Sequence, residues 1–211
     1  MDDITLNLIV LAAAAFIAGA IFFFVRRSQL QKAQEIKQMA AERGWRYETL
    51  REPLAWGLRL TAPRWTLEAI SRSSGKEAGP GSSDVSMQTT WFADSPGSPL
   101  LIGERQTQAS LGEFGDLLVR QVLQLALGAE AEGLVEIQVG SPAFRQKYML
   151  WAQNPDDVRI PSALESVLLN WKGQKPLIKR TSQGLMIELR GVHLRNPAEL
   201  SALVQLGELL L

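Results

Sequence analysis

The sequence predicts an α+β protein: one N-terminal transmembrane helix, then a domain with a mostly antiparallel sheet covered by amphipathic helices. Three observations predict it. Residues 4–25 hold no charged side chain. From Trp45 onward, short segments alternate apolar and polar residues, the period of a half-buried strand. Between and after them lie stretches with apolar residues at helical spacing, two of which begin Asn-Pro. The division expected is a transmembrane helix over 4–25, a juxtamembrane helix or stalk over 26–44, and a cytoplasmic α+β domain over 45–211.

The apolar run, ITLNLIVLAAAAFIAGAIFFFV, has thirteen Leu, Ile, Phe or Val among its 22 residues. As a helix it reaches roughly 33 Å, enough for a hydrocarbon core of about 30 Å. A helix is required because a spanning segment must satisfy its own backbone hydrogen bonds. The thirteen side chains favour insertion by about 4–8 kcal/mol. A cleaved signal peptide would begin basic and carry a shorter apolar stretch; here Asp2 and Asp3 open the chain and Arg26-Arg27 close the run. Arg26, Arg27, Lys32 and Lys37 follow the helix, so the positive-inside rule puts the N-terminus outside and the body in the cytoplasm, at an inner or plasma membrane. Ala15 with Gly19, and Ala14 with Ala18, have the spacing that lets two membrane helices approach, against the plain reading of common filler.

Net charge is zero, with 22 basic and 22 acidic residues, but it is unevenly spread. Residues 26–76 hold 11 basic and 5 acidic residues, whereas 77–170 hold 5 and 12. The bilayer, through residues 4–25, is thus the first expected partner. Anionic lipid touching the basic segment 26–76 is a second, against the reading that these charges merely solvate surfaces. A protein partner or self-association is a third. Nucleic acid is not expected, since the chain lacks a basic excess. The absence of cysteine excludes disulfides, thiol nucleophiles and Cys-bound metal.

Along the chain, SQLQKAQEIKQMAAER (28–43) is rich in helix formers, with an apolar stripe of Leu30, Ala33, Ile36, Met39 and Ala40, and stops at Gly44. Strands are expected at Trp45-Arg46-Tyr47 and over 65–72. A loop is expected over 73–84; its Gly75-Lys76 lacks the rest of a phosphate loop. Residues 87–93 are expected to pair with 100–104 across DSPGSP. Residues 113–127 form a helical pattern with Phe114, Leu117, Leu118, Val122 and Leu125 on one face. Two strand–strand–helix units then follow, over 135–172 and 177–211. The first has strands at 135–139 and 147–152 and a helix running from Asn154-Pro155 through Pro161 to Trp171. The second has a hairpin, 177–181 and 185–190, and a helix opened by Asn196-Pro197. Asn caps, Pro tolerates the first helical position, and the following acid complements free N–H groups.

Gly140-Ser141-Pro142-Ala143-Phe144, Tyr148-x-Leu150-x-Ala152 and Asn154-Pro155 resemble the G-[DS]-P-x-F…[YF]-x-[VL]-x-A-x-[DN]-P block of uncharacterised bacterial single-pass membrane-anchored proteins. Gly44-Trp45-Arg46-Tyr47 and Gly184-Leu185-Met186-Ile187-Glu188-Leu189 are similar to the same group. The resemblance implies architecture and location and supplies no catalytic or ligand residue.

Chemistry-bearing residues are sparse. The sole histidine, His193, sits between a strand and a helix cap with no serine or acid beside it in sequence to suggest a triad, and is expected to be structural. The carboxylate pairs Asp156/Asp157, Glu113/Asp116 and Glu130/Glu132 read as helix-end electrostatics and solvated faces. Of six tryptophans, Trp45, Trp65, Trp91, Trp151 and Trp171 read as core, and Trp56 is the best candidate for an interface or ligand. No catalytic, cofactor or metal residue is therefore assigned. The function expected is a membrane-anchored, non-catalytic interaction or scaffolding protein. The alternative is a membrane-tethered, hydrolase-like enzyme with an unrecognised carboxylate site.

Overall fold

The computed structural model describes residues 3–75, 85–105, 121 and 123–211, with side chains from Phe16 onward except that of Asp157. Helix α1, Asp3–Glu42, runs unbroken for 40 residues, so the expected span and stalk are one rod. It stops where Gly44 takes φ +70°. There Trp45 N–H donates to Ala40 O (2.8 Å) and Gly44 N–H to Ala41 O (3.2 Å), the paired bonds that close a helix on a left-handed glycine. Residues 4–15 of the expected span lie outside the described side chains, and with them Ala14 and Ala15 of the small-residue pairs. Among the described residues no helix is long and apolar enough to cross a membrane.

Nine strands form one antiparallel sheet: β1 (Arg46–Glu52), β2 (Ala55–Ala62), β3 (Trp65–Ser73), β4 (Val85–Ala93), β5 (Leu100–Glu104), β6 (Val135–Glu136), β7 (Tyr148–Ala152), β8 (Leu177–Thr181) and β9 (Gly184–Arg190). Their order is β1-β2-β3-β4-β9-β8-β5-β7-β6. One face carries the main core. Leu58, Leu60, Leu67, Ala69, Trp91, Ile102, Leu150, Ile178, Ile187 and Leu189 point there, under Ile36 and Ala40 of α1 and the helices α2 (Pro142–Lys147), α3 (Ser162–Leu169) and α4 (Pro197–Glu208). Gly207 lets α4 lie directly on Trp91, since a Cβ there would come 2.3 Å from the indole. Among the described residues, the opposite face is covered at its β5–β7 end, where Leu123 and Leu127 meet Leu101, Met149 and Trp151.

Several expectations need correction. The strands at 87–93 and 100–104 exist but do not pair; the β8–β9 hairpin lies between β4 and β5. Leu100–Gly103 of β5 is buried on both faces, which suits an interior strand better than one partner of an isolated hairpin. Strand β2 falls in a stretch with no assigned element, and β3 extends through Ser73, shortening the expected loop; residues 76–84 lie outside the described set. The strand at 135–139 contracts to Val135–Glu136, and α2 intervenes before β7, its N-cap Ser141 Oγ accepting from Phe144 N–H. The helix expected from Asn154 to Trp171 is split into a single 3₁₀ turn, Pro155–Asp157, and α3. Pro161 explains the break, because the residue before a proline is disfavoured in the helical region. The segment 135–172 thus has an added helix and a broken one, where 177–211 has a single unbroken helix. Residues 123–127 are helical; Leu125, expected on the apolar face, is 78% exposed, while Leu123 and Leu127 are buried. Residues 113–120 and 122 lie outside the described set.

Candidate functional site

Helix and sheet geometry together make a groove. After Gly44 the chain reverses, so β1 runs back along α1. The six residue steps of β1 cover about 20 Å. Fifteen helical steps, from residue 27 to 42, cover about 22 Å. The β1–β2 turn therefore returns to the level of Arg26 and Arg27, where the apolar half of α1 ends. The exposed side chains of Leu54 in that turn and Trp56 just after it mark that level.

Lower down, Ile36 and Ala40 are buried and α1 lies flush with the sheet. Higher up, Leu30 is 59% exposed, so the predicted stripe docks only from Ala33 onward. The space between is a groove of about 840 Å³. One wall is α1 from Phe24 to Ile36, the other is β1–β2, and His193 and Arg195 from the β9–α4 loop close it. Register explains the sheet wall: Arg51 stands opposite Trp56, which stands opposite Ser71. Gly57 lies flat against β3, where a Cβ would come 2.0 Å from Ala69 O.

The β9–α4 loop is tied down by two buried hydroxyls on neighbouring strands. Thr89 Oγ1 donates to Val192 O (2.9 Å) and accepts from Leu194 N–H (3.0 Å). Ser71 Oγ lies 2.6 Å from His193 Nδ1, the hydroxyl donating when that nitrogen is unprotonated. Burial, and then the nearby Arg195 charge, lower the His193 pKa to about 4, so the ring is neutral at pH 7. A serine thus does sit beside the histidine, 122 residues away in sequence, beyond the reach of a local motif. It does not make a nucleophile: Ser71 is 1% exposed, and no carboxylate lines the groove to orient the imidazole.

The other candidates lie elsewhere. Glu130 accepts from the Ser182 N–H and hydroxyl, tying the end of one helix to the β8–β9 turn. Glu132 and Asp156 are exposed and apart from the groove; Glu113 and Asp116 lie outside the described residues, as does the side chain of Asp157. Among the described residues no group of three His, Asp or Glu could hold a metal. Trp45, Trp65 and Trp91 stack edge-on or tilted within the core, at 4.9 and 6.3 Å between ring centres. Trp151 is buried on the opposite face, and half-buried Trp171 donates from Nε1 to Gln174 O (2.9 Å). Of the six, only Trp56 is exposed, at 40%. A second cavity, about 590 Å³, lies between the end of α3 and the start of α4 and shares His193.

Lys32, Arg51 and Arg195 are the groove residues that sequence reasoning missed as a set. Nothing local signals it, because helix, hairpin and loop contribute one cation each. Comparison with known proteins finds no matching family model, no matching characterised protein and no matching solved structure.

Proposed function

We propose that this chain is a membrane-tethered, non-catalytic interaction protein, with its α+β body held against the cytoplasmic surface by α1. The observation that carries this reading is the contrast within one helix. Phe16, Ile17, Ile21, Phe22, Phe23, Phe24 and Val25 are each 50–79% exposed. At 100° per residue they point to every side, and a helix apolar all round requires apolar surroundings. From eleven residues past Val25, the same helix is docked through Ile36 and Ala40. The cations after Val25 support a cytoplasmic body. A tethered hydrolase would need carboxylates gathered in a cavity; the groove has none in its lining, and Glu48 and Glu68, which line a cavity of about 540 Å³ on the other face, are both paired with Arg59.

Membrane fractionation tests the tether. The full chain is expected to stay with membranes through alkaline and high-salt washes and to need detergent for release. Recovery in the aqueous fraction after cell breakage overturns it. Affinity capture from the detergent extract tests the interaction role, and finding neither a stable partner nor self-association counts against it.

A further inference from the structure

We propose that the groove between α1 and the β1–β2 hairpin seats the headgroup of an anionic phospholipid, with Lys32, Arg51 and Arg195 facing its phosphate and Phe24, Val25 and Trp56 facing its upper acyl region. The inference rests on the tether just proposed and goes beyond it, from attachment to recognition.

Position comes first. The groove opens at Phe24 and Val25, the last residues of the apolar half of α1. Lys32 lies seven residues on, about 10 Å along the axis. A bilayer's headgroup zone is about 5–8 Å deep on each side, and a lysine stem extends its charge by several ångströms toward the interface. An interfacial lipid is therefore within reach without leaving its leaflet.

Charge comes second. The groove's lining includes three cations and no carboxylate, and His193 is uncharged at neutral pH. Among the described residues, Lys32, Arg51 and Arg195 form no ion pair and no side-chain hydrogen bond. Cations on the opposite face of the same sheet are treated differently: Arg46, Arg59, Lys179 and Arg190 each have a glutamate within 3.1 Å. Three unpartnered cations converging on one groove leave a site for an external anion.

The apolar part comes third. Trp56 combines a large apolar ring with an N–H and stands directly opposite Arg51 across the β1–β2 pair. That pairing suits the boundary between headgroup and hydrocarbon. A soluble anion would have no use for Phe24, Val25 and Trp56, whereas a phospholipid uses both halves of the groove.

The test uses the full chain, extracted in mild detergent and reconstituted in nanodiscs of phosphatidylcholine with about one-third phosphatidylglycerol. After re-extraction, retained lipid is identified by native mass spectrometry. The wild type is expected to retain phosphatidylglycerol enriched about tenfold over the bulk ratio, a modest share of what three membrane-proximal cations supply. The combined variant Lys32→Gln, Arg51→Gln, Arg195→Gln is expected to lose that enrichment. The combined variant Arg64→Gln, Arg159→Gln, Lys172→Gln removes equal charge away from the groove and is expected to keep it. Lys32→Arg with Arg51→Lys and Arg195→Lys guards against misfolding and is also expected to retain lipid. Equal loss in both charge-removing variants, no enrichment in the wild type, or a lipid-free dimer with the groove closed by a second copy overturns the proposal. In each of those cases detergent is still needed, so the tether survives; recovery of the chain as an aqueous solute overturns both.

Discussion

Two rows of residues cross the same sheet on opposite faces and handle charge in opposite ways. On the face opposite the main core, away from the helical residues 123–127, register aligns Glu48, Arg59, Glu68, Thr90 and Glu188 across five strands. Opposite charges alternate at its start, and Lys179 and Arg190 reach Glu188 at 2.6 and 3.1 Å. On the groove face the corresponding row is Arg51, Trp56, Ser71 and Met87. Among the described residues its cation has no partner, and the Ser71 hydroxyl is occupied with His193. Directly opposed residues on one face of an antiparallel pair interact strongly enough to set partners. The first row is a closed set of complementary charges. The second is open: Arg51 is its one cation, and with Lys32 and Arg195 from outside the row it makes up the anion site proposed above.

Charge removal should therefore cost stability on one face and not on the other, as read by urea unfolding of the full chain in detergent. The largest effect is expected for Glu188→Ala. Glu188 is buried, and its loss strands Lys179, whose side chain is only 15% exposed, costing about 3 kcal/mol. A loss under about 1 kcal/mol would mean that Lys179 simply swings into solvent. Next comes Ser71→Ala, expected to cost about 1–2 kcal/mol by removing a buried partner of His193 and loosening the β9–α4 loop. A change in tryptophan emission that disappears when Trp56 is also replaced by Phe is expected to report that loosening at the groove.

Acid should act through the same pair. The His193 pKa is lowered from 6.5 to about 4. The unfolded chain therefore takes up a proton that the folded chain refuses, and stability falls as pH drops from about 6.5 toward 4. Lys32, Arg51 and Arg195 line the same groove and oppose protonation of the ring, but because the ring is partly exposed the loss is discounted to about 1–2 kcal/mol. His193→Gln is expected to flatten that part of the pH profile; an unchanged slope would assign it to the carboxylates. Smaller still, Arg59→Gln should cost about 0.5–1 kcal/mol, since its pairs with Glu48 and Glu68 are solvent-exposed. The smallest effect is expected for Lys32→Gln with Arg51→Gln and Arg195→Gln: within about 0.5 kcal/mol of wild type, and on the stabilising side if the three charges repel. Destabilisation beyond that would erase the contrast between the faces.

Local chemistry was readable where neighbours in sequence are also neighbours in space. Gly44 stops α1, Asn196 Oδ1 accepts from Ala198 N–H (3.0 Å) to start α4, and β8 and β9 form their hairpin across Ser182-Gln183. The same Asn-Pro start at Asn154 yields only a 3₁₀ turn, because Val158, Ile160 and Pro161 follow it where good helix formers follow Asn196. Pairing partners were less readable. The neighbours of β4 and β5 depend on a hairpin more than 70 residues later in the chain, and no turn sequence announces an insertion.

By itself the sequence determined an apolar rod, its charged end, its stop, and a sheet-forming body with good caps, because each depends on side chains a few positions apart. The tertiary structure alone decided that the rod leans away from the sheet at Leu30. It alone decided that the β1–β2 turn comes back to the rod's apolar end, and that Lys32, Arg51 and Arg195 meet there beside the buried Ser71–His193 pair. These are consequences of strand register and helix docking, which bring residues together by packing and leave no periodicity or motif along the chain.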